Sequence, residues 1–214
     1  MDSGQLIRNV ARTLNDPEHV RWTLEDLVAW LNAGCMEVCR VRPEANEKSV
    51  VLNLTQGTRQ EIRPNDLQLI RVIRNVPSGR AVRMVATEIL DAVLPHWHSM
   101  PRADDVAEYG WDQREPRTFW VYPPARETSK LECSICERPV PVSVPASSSN
   151  PVYDPFPLLD QYAQSVEAWM LYRAYMQDTG AGSAPKAQTW SAYFYHSLGV
   201  EVQGRTENEP GNDV

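Results

Sequence analysis

The stretch Val20–Ala45, VRWTLEDLVAWLNAGCMEVCRVRPEA, decides how the chain is read. Thr23 is placed to cap a helix, and Glu25 and Asp26 fall in its first turn, where acids suit the positive end of the helix dipole. Leu27, Val28, Leu31, Cys35, Val38 and Cys39 then recur on one stripe at helical spacing. Arg40 and Arg42 stand where cations suit the other end of the dipole, and Pro43 stops the run. The spacing predicts a helix from Leu24 to about Val41 with one buried face.

Helical patterns also occupy both ends of the chain. Leu6, Ile7, Val10 and Leu14 share one face of a short helix over residues 4–14, with Ser3 as its cap and Asn15-Asp16-Pro17 as its stop. Near the other end Leu158, Leu159, Tyr162, Val166, Trp169, Met170 and Arg173 recur at helical spacing, which predicts a helix from Leu158 to Gln177 with Trp169 as a core aromatic. Ser183 can cap a last helix with Pro185 in its first turn and Trp190, Phe194 and Leu198 along it.

Between these ends the pattern changes. Val50–Leu54, Arg59–Ile62, Leu67–Val76, Thr118–Tyr122, Lys130–Ile135 and Val140–Val144 read as strands, and Thr87–Leu94 reads as one short helix. In Thr118–Tyr122 the alternation sends Phe119 and Val121 one way and Trp120 and Tyr122 the other. Pro101–Pro116 reads as irregular, and Pro145–Pro157 as a linker. The expected fold class is therefore α+β. Residues 1–45 and 155–200 would form a helical bundle, 46–154 a β-rich insert with one short helix, and 201–214 a flexible C-terminal tail.

Composition narrows the function. The 214 residues carry 42% hydrophobic and 23% charged side chains, ordinary globular usage, which excludes a disordered chain or a coiled-coil rod. Mean hydropathy is -0.45 and no apolar run approaches the roughly 18 residues of a membrane span. The Met1–Gln5 start has no basic or apolar character of a signal peptide. The formal net charge is -7, and no basic patch for gripping phosphates stands out. Lysine occurs only at 48, 130 and 186, so arginine dominates the cations, and Trp and Tyr far outnumber Phe. Both biases suit interfaces.

Four cysteines raise a metal question. Cys133 and Cys136 form a C-x-x-C, and Cys35 and Cys39 lie four apart on the predicted helix. No glycine turn of a zinc knuckle lies near them, and Cys35 and Cys39 fit a buried stripe, where cysteine acts as a small hydrophobe. Burial is therefore the reading preferred for them. His96-Trp97-His98 reads as a loop packed by Trp97, and His19 and His196 stand alone. Glu25-Asp26 reads as dipole partners and Asp104-Asp105 as a solvated loop. No G-x-S-x-G elbow, phosphate loop or H-E-x-x-H is present. Nothing assembles a base, a nucleophile and an oxyanion donor, so no catalytic residue, cofactor or enzyme activity is expected. The alternative is a small zinc- or nucleic-acid-binding module using Cys35, Cys39, Cys133 and Cys136.

Four segments, taken in order, carry a resemblance. The first is Val20–Leu27 leading into Trp30-Leu31-Asn32-Ala33-Gly34 and then Val41-Arg42-Pro43-Glu44-Ala45. The second is Leu67–Asn75 followed by Gly79-Arg80-Ala81-Val82-Arg83, and the third is Thr118–Pro124. The fourth is Leu171–Asp178, with Tyr193-Phe194 in a final helix ending Leu198-Gly199-Val200. Together they resemble the head–tail connector adaptors of tailed phages, the gatekeeper-type adaptors of short-tailed phages among them. The resemblance implies a virion protein at the head–tail junction, assembled in the host cytoplasm. It implies a homo-oligomeric ring, commonly of twelve copies, between the portal protein and a tail nozzle or tail-tube protein. Genomic DNA would pass through the lumen without specific binding, and no membrane is involved. The C-x-x-C and the residues after Gly199 have no counterpart in that pattern.

Overall fold

The computed structural model describes residues 1–146, 151–180 and 182–200. Helix α1 spans Ser3–Thr13 and α2 spans Leu24–Val41. Thr23 and Asp26 cap α2 reciprocally. The Asp26 N–H donates to Thr23 Oγ1 at 3.2 Å and the Thr23 N–H donates to Asp26 Oδ2 at 3.3 Å. This occupies backbone donors that a helix start leaves over. At α1 the cap is Asp2 rather than Ser3, its carboxylate accepting from the Gly4 N–H at 3.0 Å.

Seven strands and a third helix follow in the middle of the chain: β1 Glu47–Asn53, β2 Gly57–Glu61, β3 Asp66–Val76, β4 Arg83–Met84, α3 Thr87–Val93, β5 Glu108–Trp111, β6 Thr118–Ala125 and β7 Lys130–Glu137. One sheet has the order β1-β7-β3 and the other β2-β6-β5-β4. All pairs are antiparallel except β4 with β5. Residues 140–144 form no strand. There the Val142 N–H donates to Asn32 Oδ1 at 2.8 Å and Asn32 Nδ2 donates back to the Val142 carbonyl at 2.9 Å. One side-chain amide thus replaces the neighbouring strand. Helices α4, Ala163–Gln177, and α5, Ser183–Ser197, close the described chain. Leu158 and Leu159 precede a 3-10 turn at Asp160–Tyr162 and stay outside α4. Gly182, with φ +94, takes the cap position of α5 that the sequence assigned to Ser183, a left-handed conformation glycine adopts without strain.

The expected architecture is corrected here. The α-helices of the described residues are five and short, between 7 and 18 residues, and strands dominate the middle in two sheets. The chain divides into two compact units rather than a bundle bearing an insert. One comprises Met1–Val38, Pro141–Phe156 and the residues from Asp160 onward, the other Cys39–Val140 with Pro157–Leu159. The sheet unit holds its own core, centred on Leu69, Val72, Phe119, Val121, Leu131, Cys133 and Ile135. That internal burial is the physical reason it stands as a body of its own. In the helical unit α4 packs on α1 and α5, and Leu6, Ile7, Leu27, Leu31, Val166, Met170 and Phe194 are buried. Trp169 is only half-buried; its ring lies 5.1 Å from that of Phe194, and any Cβ on Gly34 of α2 would meet it at 3.0 Å. The tail expected over 201–214 lies outside the described residues.

Three carboxylates tie loops and strands together. Asp16 accepts the N–H groups of Trp22 at 2.8 Å and of Val20 and Arg21 at 2.9 Å. Asp178 accepts from the Gly180 N–H at 2.9 Å and pairs with Arg21. Glu132 on β7 pairs with Arg74 of β3 at 2.5 Å and accepts from Ser49 of β1 at 3.0 Å. Their partners, Trp22, Gly180 and Arg74 foremost, hold all three below the ordinary carboxylate value. A folded-state pKa below the unfolded one gives stability that is present above the unfolded value and lost as pH falls through the folded one. Urea midpoints should therefore be flat above about pH 5 and decline below about pH 4. Asp16→Asn should lessen that decline; an unchanged acid slope would contradict this role for Asp16.

Candidate functional site

The four cysteines do not come together. Cys35 lies in the helical unit and Cys39, Cys133 and Cys136 in the sheet unit, and all four are buried thiols outside any disulfide. Burial pushes the thiols of Cys35 and Cys133 up to about 12. Cys133 faces the sheet core beside Leu131 and Ile135. Cys136 projects from the opposite face of β7, its Sγ donating to the Glu137 carbonyl at 3.8 Å, and a side-chain hydrogen bond with Cys39 holds its thiol below the ordinary value. One member of each sequence pair thus meets one of the other. Among the described residues no group of three or more His, Cys, Asp or Glu is placed to hold a metal ion.

The histidines and acid pairs take local roles. Trp97 is fully buried, its Nε1 donating to Asp91 Oδ1 at 2.8 Å. The His98 ring stacks on it at 3.8 Å and meets Thr58 Oγ1 through Nδ1 at 2.8 Å, while His96 is exposed at the turn before them. His19 sits at φ +55 in the turn that Asp16 organises, and His196 is exposed in the last turn of α5. Asp26 caps α2. Asp104 pairs with Arg126 at 3.0 Å, and Asp105 accepts from Ser78 at 2.9 Å.

Much of the arginine stays within the chain. Arg63 grips buried Asp66 through two donors at 2.9 Å each, and Arg21, Arg74, Arg83 and Arg126 pair with Asp178, Glu132, Glu108 and Asp104. The composition pointed these side chains to interfaces, but a local carboxylate occupies each of them. Surfaces suited to partners are apolar and aromatic instead. In the helical unit a groove of about 420 Å³ runs between Thr13 of α1, Ala168 and Leu171 of α4, and Trp190 and Tyr193 of α5. In the sheet unit Ile89 and Val93 lie one turn apart on α3 and are 56% and 69% exposed, near the equally open Met84. Sequence periodicity placed these residues on elements but not at the surface. The signal that could have found them is the shortness of α3, which buries Leu90 alone.

No helix of the described residues is long and apolar enough to cross a membrane. A sequence profile described as SU10 adaptor protein matches residues 1–212. A comparison with curated proteins finds no match.

Proposed function

The chain belongs to the SU10 adaptor protein family, a family of phage head–tail adaptors, and on that footing we propose that it is a non-enzymatic ring subunit between portal and tail. The observation that carries the reading is the match over residues 1–212, essentially the whole chain. In the ring the copies, twelve in number, meet one another through aromatic and apolar surfaces. The Trp190–Tyr193 groove and the Ile89–Val93 face supply such surfaces. One end of the ring meets the portal protein and the other the tail nozzle or tail-tube protein.

The acid excess of -7 per copy suits a conduit for DNA. An acidic lining repels phosphates and lets the genome slide, where a basic one would hold it. Residues 201–214 contribute to portal docking in this reading. A chain ending at Val200 should fold as the full chain does and co-sediment less with the portal ring of its phage. Equal co-sedimentation by both chains would remove the tail from the docking surface, and failure of both to co-sediment would count against the adaptor assignment at the junction.

A further inference from the structure

We propose that the cleft between α3 and β6 is a receptor for the guanidinium group of an arginine side chain presented by a second protein chain. Thr87, Asp91, Trp97, His98 and Trp120 line it, and its volume is about 250 Å³. That is below the roughly 300–1,000 Å³ of pockets for small molecules, and it suits a single side chain. All five residues lie in the sheet unit.

The strand register builds the cleft. Phe119 and Val121 of β6 face the core, so Trp120 stands on the other face of the sheet, opposite Gly110 of β5. A Cβ on Gly110 would come within 2.5 Å of Thr87 Cγ2, so the missing side chain is what lets the start of α3 settle on β5. The chain then returns over β6 in the 3-10 turn Trp97–Ser99. Trp97 is fully buried and fixes its neighbours. Its Nε1 donates to Asp91 Oδ1 at 2.8 Å, the His98 ring stacks on it with centroids 3.8 Å apart, and Tyr122 meets it edge-on at 6.5 Å. Thr58 Oγ1 holds His98 Nδ1 at 2.8 Å. Acid and rings are thus in position before any ligand arrives.

Charge selects the ligand. Asp91 is exposed and takes one indole donor, and no cation among the described residues pairs with it. The arginines of the adjoining strands are taken: Arg59, opposite Trp120 on β2, by Glu61 at 2.9 Å, and Arg83 of β4 by Glu108 at 2.6 Å. An uncharged ligand would strip water from the Asp91 carboxylate without replacing it, and an anion would be repelled. A guanidinium stacks flat on an indole and donates to a carboxylate through a fixed fork. An ammonium, a strongly hydrated point charge, offers no plane to stack. Half-buried Trp120 supplies the ring and Asp91 the carboxylate. The adaptor reading assigns no such cleft, and the recognition chemistry does not depend on it.

The test titrates the full-length isotope-labelled chain with N-acetyl-arginine N-methylamide and follows the tryptophan indole N–H resonances, assigned on the unmodified protein. The expected result is saturable movement of the Trp97 and Trp120 signals. The citrulline analogue, of the same shape but uncharged, and the lysine analogue should each bind at least about tenfold more weakly. Asp91→Asn keeps an acceptor for Trp97 Nε1 and should lose about tenfold in affinity for the arginine compound. Unmoved Trp97 and Trp120 signals, equal binding of the citrulline or lysine compound, or unchanged affinity in Asp91→Asn would overturn the proposal. The citrulline arm uses the unmodified chain, so it decides the charge requirement even where the variant fails to fold. Because the assay involves no portal, its failure is separate from failure of the adaptor reading.

Discussion

Phe119→Ala should destabilise the chain by about 3–5 kcal/mol, measured by urea denaturation of the monomer. Phe119 is fully buried in the core of the sheet unit, on the face of β6 that also buries Val121. β6 pairs with β2 on one side and β5 on the other, so Phe119 stands opposite Gln60 and Trp111. Both neighbouring strands fix the backbone around it, and little collapse can fill the space a truncated ring leaves. Trp120, the next residue, lies half-buried on the other face, and its truncation should cost clearly less. Equal losses at the two positions would contradict the face assignment of β6.

Asn75→Ala should cost about 2–5 kcal/mol, although it removes hardly any apolar surface. Asn75 is 1% exposed at the end of β3. Its Nδ2 donates to the carbonyls of Val106 at 2.8 Å and Arg80 at 3.0 Å, and its Oδ1 accepts the Val106 N–H at 2.8 Å. Val106 is itself fully buried, so alanine leaves both of its backbone groups without a partner or water. Asn75→Asp keeps an acceptor for the Val106 N–H but loses both donors, and should not restore stability. A loss under about 1 kcal/mol for Asn75→Ala would mean that water replaces the amide.

These two residues mark what was legible in the sequence. Phe119 was readable because strand alternation is a local signal, and β3, β6, β7 and α2 were readable for the same reason: each is long and periodic enough to show its pattern. β5 was missed because its four residues sit in a polar stretch and owe their pairing to β6 and β4. The strand expected over Val140–Val144 failed in the opposite sense. Its residues suit a strand, but the Asn32 amide takes the backbone groups of Val142. Asn32 and Asn75 act at 110 and 31 residues' separation, and Gln60 closes the β1–β2 turn through the Thr55 backbone. No spacing rule announces an amide that works at such range.

That the sheet unit holds a core of its own was not legible, since periodicity locates faces without saying which faces share a core. The cysteines show the same limit. Sequence proximity suggested pairs 35/39 and 133/136, whereas the side-chain hydrogen bond joins Cys39 to Cys136. The family was readable from ordered segments spread along the chain, whose sum carries more information than any one of them.

The adaptor reading is tested most directly by electron microscopy of the purified chain mixed with the portal ring of its own phage. The account predicts an added density of rotational symmetry stacked on the portal. An unchanged portal, with both proteins folded, would contradict it.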